Sequence, residues 1–242
     1  MGRNLTPIML ALGPLLLLVA FAMFPLQDQI GQNAMDALVD EDRSFMMMLL
    51  VVGTFGVTLI FGGLNLLIKD MKKNTDGMNA QLLSYAKVLM IVALVCFFQG
   101  FGGYVASINA FETEIDENEV AYYPSEADRE TSARAAWEAG NAGWALLTVA
   151  WGIGLIVIGL TAYLMQRPEQ PAEYLFTALM PLGTILTILP ILNDSEVFGG
   201  IFPIALIIHL AIGGLMLSGN LEVPGSRTVS YTHLTLPTIL LV

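Results

Sequence analysis

The sequence has almost none of the residues on which metal sites and covalent chemistry usually depend. Its 242 residues include one cysteine, Cys96, and two histidines, His209 and His233. A single cysteine excludes a disulfide within the chain and any CxxC motif. No HExxH zinc motif, GxSxG nucleophile elbow or glycine-rich phosphate loop occurs. We therefore predict no metal site, no cofactor and no catalytic residue set.

Charged residues are scarce as well. Asp, Glu, Lys and Arg together make up 13% of the chain, against about 25% in a soluble domain. The 10 Lys and Arg form no basic stripe, which excludes nucleic acid as a partner. Apolar residues reach 55%, and the mean hydropathy is +0.69. A soluble protein of this composition would have to hide nearly all of its surface, so the composition predicts a membrane protein.

What the chain does have is six long apolar stretches, each of about 18 residues or more. A helix needs about 20 apolar residues to cross the hydrocarbon core of a bilayer. The sequence thus predicts an all-α, polytopic transmembrane bundle that forms a single membrane domain over residues 1–228, with the lipid bilayer around it. The predicted spans cover residues 7–24, 45–68, 82–105, 139–165, 174–192 and 201–218.

The charges between the spans predict their orientation. The side that carries Arg3 has seven Lys and Arg against five acids, whereas the other side has three Arg against sixteen acids. Because Lys and Arg are enriched in cytoplasmic loops, we expect both observed ends in the cytoplasm of a prokaryote-type cell, with the chain in the plasma (inner) membrane. An alternative is that the first span is a signal peptide cleaved after the small-x-small segment 20–22.

The last residues form a different kind of segment. Residues 229–239 resemble the conceptual translation of a transposon-type sequencing-library adapter over eleven consecutive positions. The resemblance implies that residues 229–242 are an artefact of a short, metagenomic assembly, so His233 has no functional meaning there. We expect the intact gene to continue past Thr228 with two further spans.

An internal repeat and its prolines suggest a transporter as one alternative. Segment 11–15 aligns with segment 178–182, and the second span aligns with the sixth, as in a chain of repeated αα-hairpins. The alignment pairs Pro14 with Pro181, and Pro190 adds a second break. Helix breaks at matching positions of two repeats indicate a transporter binding site. The simpler interpretation is an ordinary kink that the packing tolerates.

Polar residues inside the spans are the remaining candidates, because such groups are costly in a membrane. His209 lies near the middle of the sixth span. It would bind a metal or haem, relay a proton, or simply bond to a neighbouring helix. Gln99, Asn141 and Asn193 lie toward the outer ends of their spans, where they would either form a polar pocket or bond between helices. We favour the packing role for all four.

One extramembrane element is also predicted. Ser125 precedes three acidic or small residues in the form of a helix N-cap, and Glu130 and Arg134 stand four apart. We therefore expect an external helix that starts at Glu126 and runs into the fourth span.

The function that best fits these features is a non-catalytic membrane partner or assembly subunit, bound to another membrane protein or to further copies of itself. A small-solute transporter with a site near Pro14 and Pro181 is the first alternative. An intramembrane haem protein or enzyme that uses His209 is the second.

Overall fold

The computed structural model describes residues 5–23, 43–112, 125–192 and 195–226. They form six long helices, and no strand occurs in these ranges. A short 3-10 helix, Pro171–Glu173, precedes the fifth long helix. The long helices are α1 (Leu5–Met23), α2 (Arg43–Lys72), α3 (Gly77–Glu112), α4 (Glu126–Met165), α5 (Tyr174–Leu192) and α6 (Ser195–Leu217).

Each long helix matches one of the six predicted spans, and the predicted first and sixth spans end one residue beyond α1 and α6. All six are long and apolar enough to cross a bilayer, which confirms the predicted fold class. Large apolar side chains remain exposed along them, for example Val51, Val95 and Ile207. Because lipid is the solvent that such surfaces require, the chain is a multi-pass integral membrane protein. The tail at 229–242 lies outside the described residues.

Two helices are much longer than a bilayer is thick. The 40 residues of α4 extend over about 60 Å, against about 30 Å for the hydrocarbon core. The backbone N–H of Asp128 donates to Ser125 Oγ at 3.2 Å, and Arg134 pairs with Glu130 at 2.6 Å. These contacts confirm that a helix starts at Glu126 and runs into the fourth span, whereas its external location stays a prediction. Together with the end of α3, the first part of α4 projects beyond the membrane.

The helices form a ring in chain order. Each packs on the next, and α1 packs on α6 to close the ring, while α5 and α6 touch only slightly. The space inside is filled by large apolar side chains, among them Phe61, Phe97 and Trp151. The ring therefore has a packed, largely apolar centre, and the α5–α6 seam is its loosest junction.

Glycines set the closest helix contacts. A Cβ on Gly13 of α1 would lie 2.7 Å from the Gly56 carbonyl oxygen of α2, and one on Gly183 of α5 would meet the Gly152 carbonyl of α4. Only hydrogen at these positions lets the backbones approach so closely. In the proposed repeat alignment, α5 and α6 correspond to α1 and α2, but α1 packs closely on α2 whereas α5 and α6 do not. The repeat stays a prediction.

Contacts at the basic end join several helices. Thr6 donates to Asp70 Oδ2 at 3.1 Å, which ties α1 to α2. The segment after α6 folds back over this end, where the Gly225 N–H donates to Gln166 Oε1 at 3.2 Å. The Asn74 amide donates to the Pro224 carbonyl at 3.4 Å. This segment thus holds the ends of α2 and α4 together.

Candidate functional site: polar groups in an apolar bundle

His209 is fully buried in the interior face of α6. Its Nδ1 lies 2.6 Å from the carbonyl oxygen of Ala205, one turn earlier on the same helix. A carbonyl oxygen only accepts, so Nδ1 carries the proton and Nε2 is an acceptor in the neutral ring. Within the part of the chain that the structure describes, no group bonds to Nε2. The sequence-based expectation of a bond to a neighbouring helix is thus replaced by a bond within α6.

Trp151 of α4 packs beside this histidine. Its ring centroid lies 5.5 Å from that of His209 and 5.7 Å from that of Phe61 on α2. Only 2% of Trp151 is exposed, and its indole N–H has no hydrogen-bond partner. Sequence reasoning did not single out this residue. The missed signal was its position deep within a span, next to Ala150 and three residues before Gly154.

The bundle centre therefore holds a donor and an acceptor that are both unpaired. The Trp151 indole N–H can only donate, and His209 Nε2 can only accept. Two more buried oxygens, Asn65 Oδ1 and Thr161 Oγ1, also have no hydrogen-bond partner. All four side chains belong to α2, α4 and α6, the three helices that run in the same direction. Of the four, only Trp151 and His209 are in ring contact, and Thr161 lies ten residues, about 15 Å, further along α4.

The neighbouring cavity is small and apolar. It is lined by side chains of α1, α2, α3, α4 and α6, including Leu17, Phe97 and Phe202. It has room for about one water molecule. In the part of the chain that the structure describes, no group of three or more His, Cys, Asp or Glu side chains is placed to hold a metal ion.

The three prolines predicted to break helices differ in their burial. Pro14 is buried in α1, whereas Pro181 is exposed on α5 and Pro190 is half-buried near its end. Sequence reasoning did not single out Pro203, which lies inside α6. Neither Pro14 nor Pro181 lines the apolar cavity beside Trp151. Transport at these breaks stays a prediction.

The outer polar residues belong to the α3–α4 pair. Gln99 is exposed on α3, and its Nε2 donates to the carbonyl oxygen of Ala139 on α4 at 3.4 Å. This is the interhelical bond that the packing interpretation expected. Asn141 is half-buried on α4, two residues after Ala139. Gln99 and Asn141 thus belong to neighbouring helices, and His209 belongs to a different helix, α6. Asn193 lies outside the described residues.

The surface beside Gln99 is small and open. Gly102 and Ala106 are exposed on the same face of α3, three and seven residues further along. A Cβ added to Gly102 would meet no atom within 4 Å. No helix contact among the described residues therefore requires a glycine at this position. We call Gln99, Gly102 and Ala106 the outer α3 face.

The described geometry thus presents two polar features, the unpaired groups at the bundle centre and the outer α3 face. Comparison of the chain with protein-family models, with curated proteins and with solved structures found no match.

Proposed function

We propose that the protein is a non-catalytic subunit of a membrane assembly, and that it associates through the outer α3 face with a second copy of itself. The observation that carries the proposal is the exposure of Gln99 on an apolar helix. A carboxamide that faces hydrocarbon leaves donors and an acceptor without partners, which is costly where no water replaces them.

The geometry of Gln99 leaves most of its bonding capacity for a partner. Its hydrogen bond to Ala139 is long and uses one N–H of the amide. The other N–H and Oε1 remain for a group outside the chain. Polar side chains such as Gln hydrogen-bond between membrane helices and stabilise their association by about 1–2 kcal/mol in peptides.

The neighbouring small residues favour close approach. Gly102 and Ala106 stand four apart, which is the small-xxx-small spacing at which two membrane helices come into backbone contact. Since the space in front of Gly102 is open, a partner helix can lie directly against it.

A second copy of the chain can supply hydrogen-bond partners for the outer α3 face, because the same face of each copy can pair with the other. Two copies inserted in the same orientation are related by a two-fold axis along the membrane normal, which places the same residue of each copy at one depth. Gln99 then faces its equivalent. Because a carboxamide has both donors and an acceptor, the two side chains complement each other.

The test is a comparison of Gly102→Leu with Gly200→Leu in lipid bilayers. Gly200 is a matched control, since it is exposed near the outer end of α6 and also has no atom within 4 Å of a built Cβ. Dimerisation is measured by energy transfer between copies labelled with donor and acceptor dyes. We expect Gly102→Leu to weaken association about tenfold, and Gln99→Leu by a similar factor.

Gly200→Leu should leave association unchanged. A wild-type protein that stays monomeric at high protein-to-lipid ratio would overturn the proposal, as would equal losses in Gly102→Leu and Gly200→Leu.

A further inference from the structure

We propose that the basic ends of α2 and α3 form a binding site for one phospholipid with an anionic headgroup. The site consists of the ammonium groups of Lys72 and Lys87, with the exposed apolar surface of α3 beside them for an acyl chain. This inference is independent of the proposed self-association, which uses the opposite end of α3.

A hydrogen bond brings the first ammonium group to α3. Lys72, near the end of α2, donates from Nζ to Ser84 Oγ on α3 at 2.7 Å. The Ser84 hydroxyl donates in turn to the Ala80 carbonyl at 2.8 Å. Ser84 therefore acts as an acceptor that orients Lys72, and two of the three ammonium N–H bonds remain for a ligand.

The second ammonium group starts from the same face of α3. Lys87 follows Ser84 by three residues, and side chains at that spacing are neighbours on a helix, about 5–6 Å apart at Cβ. Both lysines are exposed. Among the described residues neither forms an ion pair with a carboxylate. Lys72 thus contacts Ser84 directly, and Lys87 projects from the neighbouring position of the same helix face, so both cations are available to one phosphate.

Lys73 shows what a paired lysine looks like at the same depth. Its Nζ lies 2.6 Å from Asp70 Oδ1. Since that carboxylate already neutralises Lys73, this lysine has little charge to offer a phosphate. This pairing makes Lys73 the matched control for Lys72.

The adjoining surface of α3 suits an acyl chain. Val88 and Ile91 are exposed there, with 56% and 47% of their surfaces accessible. They start at the depth of the lysines and continue toward the middle of the membrane. A lipid whose phosphate meets Lys72 and Lys87 would therefore lay its chain along these side chains. Free phosphate could use only the charged part, and for that reason we assign the site to a lipid.

The test uses the detergent-purified full chain, titrated with phosphatidylglycerol or phosphatidylcholine and measured by native mass spectrometry. A basic residue near the headgroups contributes about 1 kcal/mol to anionic lipid binding. We therefore expect Lys72→Gln and Lys87→Gln each to weaken binding of the first phosphatidylglycerol about fivefold, and the double variant about thirtyfold. Lys73→Gln, which removes the same charge one residue away, should stay within about twofold of wild type.

Three outcomes would overturn the proposal. The first is a double variant that keeps wild-type affinity, and the second is a loss in Lys73→Gln as large as that in Lys72→Gln. The third is displacement of the lipid by an equal concentration of soluble glycerol phosphate, which would identify a phosphate site without an acyl component. Elution as a single monodisperse peak confirms that each variant is folded.

Discussion

At the scale of single residues, the most unusual feature is a histidine buried with one unpaired nitrogen. His209 Nε2 and the Trp151 indole N–H are both buried without partners, although their rings are 5.5 Å apart. An unpaired buried polar group costs about 1–3 kcal/mol. The packing of the imidazole ring against Trp151 must offset that cost. The ring's van der Waals contacts therefore contribute more to the free energy of unfolding than its Nε2 atom does.

If the packing of the ring matters more than Nε2, two substitutions of His209 should change the stability by different amounts. His209→Leu keeps most of the volume and removes the unpaired acceptor, so the free energy of unfolding should change by less than about 1 kcal/mol. His209→Ala opens a cavity and should cost about 2 kcal/mol. Unfolding in mixed micelles with increasing dodecyl sulfate measures both. An equal loss in both variants would show that Nε2 has a partner of its own, and a Soret band in the wild type would identify that partner as haem.

At the scale of helices, glycine contacts decide which elements pack together. Gly213 and Gly214 are adjacent on α6 but face different surroundings. A Cβ on Gly213 would collide with the backbone of Leu10 and Ala11 on α1, whereas a Cβ on Gly214 would meet nothing within 4 Å. The α1–α6 contact that closes the ring therefore depends on one of the two glycines.

The pair supplies a matched prediction. Gly213→Ala should force α1 and α6 apart and lower the free energy of unfolding by about 1–3 kcal/mol. Gly214→Ala adds the same methyl group at an open position and should be neutral or raise stability by up to about 1 kcal/mol. The same dodecyl sulfate titration separates them. Comparable effects at both positions would contradict the α1–α6 packing.

At the scale of the whole molecule, the long helix α4 should report the orientation in the membrane. Its first part carries exposed Glu130, and Arg167 follows its other end. The bias of Lys and Arg predicts that the Glu130 end is external. A bilayer lies between these two positions, so one impermeant reagent distinguishes them.

We expect Glu130→Cys, expressed in intact cells, to react with an impermeant maleimide and Arg167→Cys to react only after lysis. The unsubstituted chain is the control, because its one cysteine, Cys96, is buried. The reverse pattern would invert the orientation, and labelling of both positions in intact cells would show that α4 does not cross the membrane.

Much of the fold could be predicted because it depends on local composition. Apolar length alone identified six spans, and the capping pattern at Ser125 located the start of α4. The ends of α2 and α3 were less predictable, since both helices continue into polar sequence where neighbouring helices stabilise them. The candidate polar residues could also be recognised, because a polar side chain within an apolar segment is evident from the sequence alone.

The surroundings of those residues could not be predicted. The sequence paired Pro14 with Pro181 and did not single out Trp151, whereas the structure exposes Pro181 and buries Trp151 beside His209. The sequence also did not predict the hydrogen bond from Lys72 to Ser84 or the open space at Gly102. Each of these depends on the rotation of one helix relative to its neighbours.

The sequence by itself thus determined that the chain is a membrane-embedded helical bundle, because each span's length and apolar content are properties of a single segment. Only the tertiary structure decided which face of each helix is covered, which polar groups are unpaired and which lysines are free. The physical reason is that helices in lipid gain no hydrophobic driving force from burying one apolar face rather than another. Their arrangement follows from close packing and hydrogen bonds between segments far apart in the chain, which hydropathy does not record.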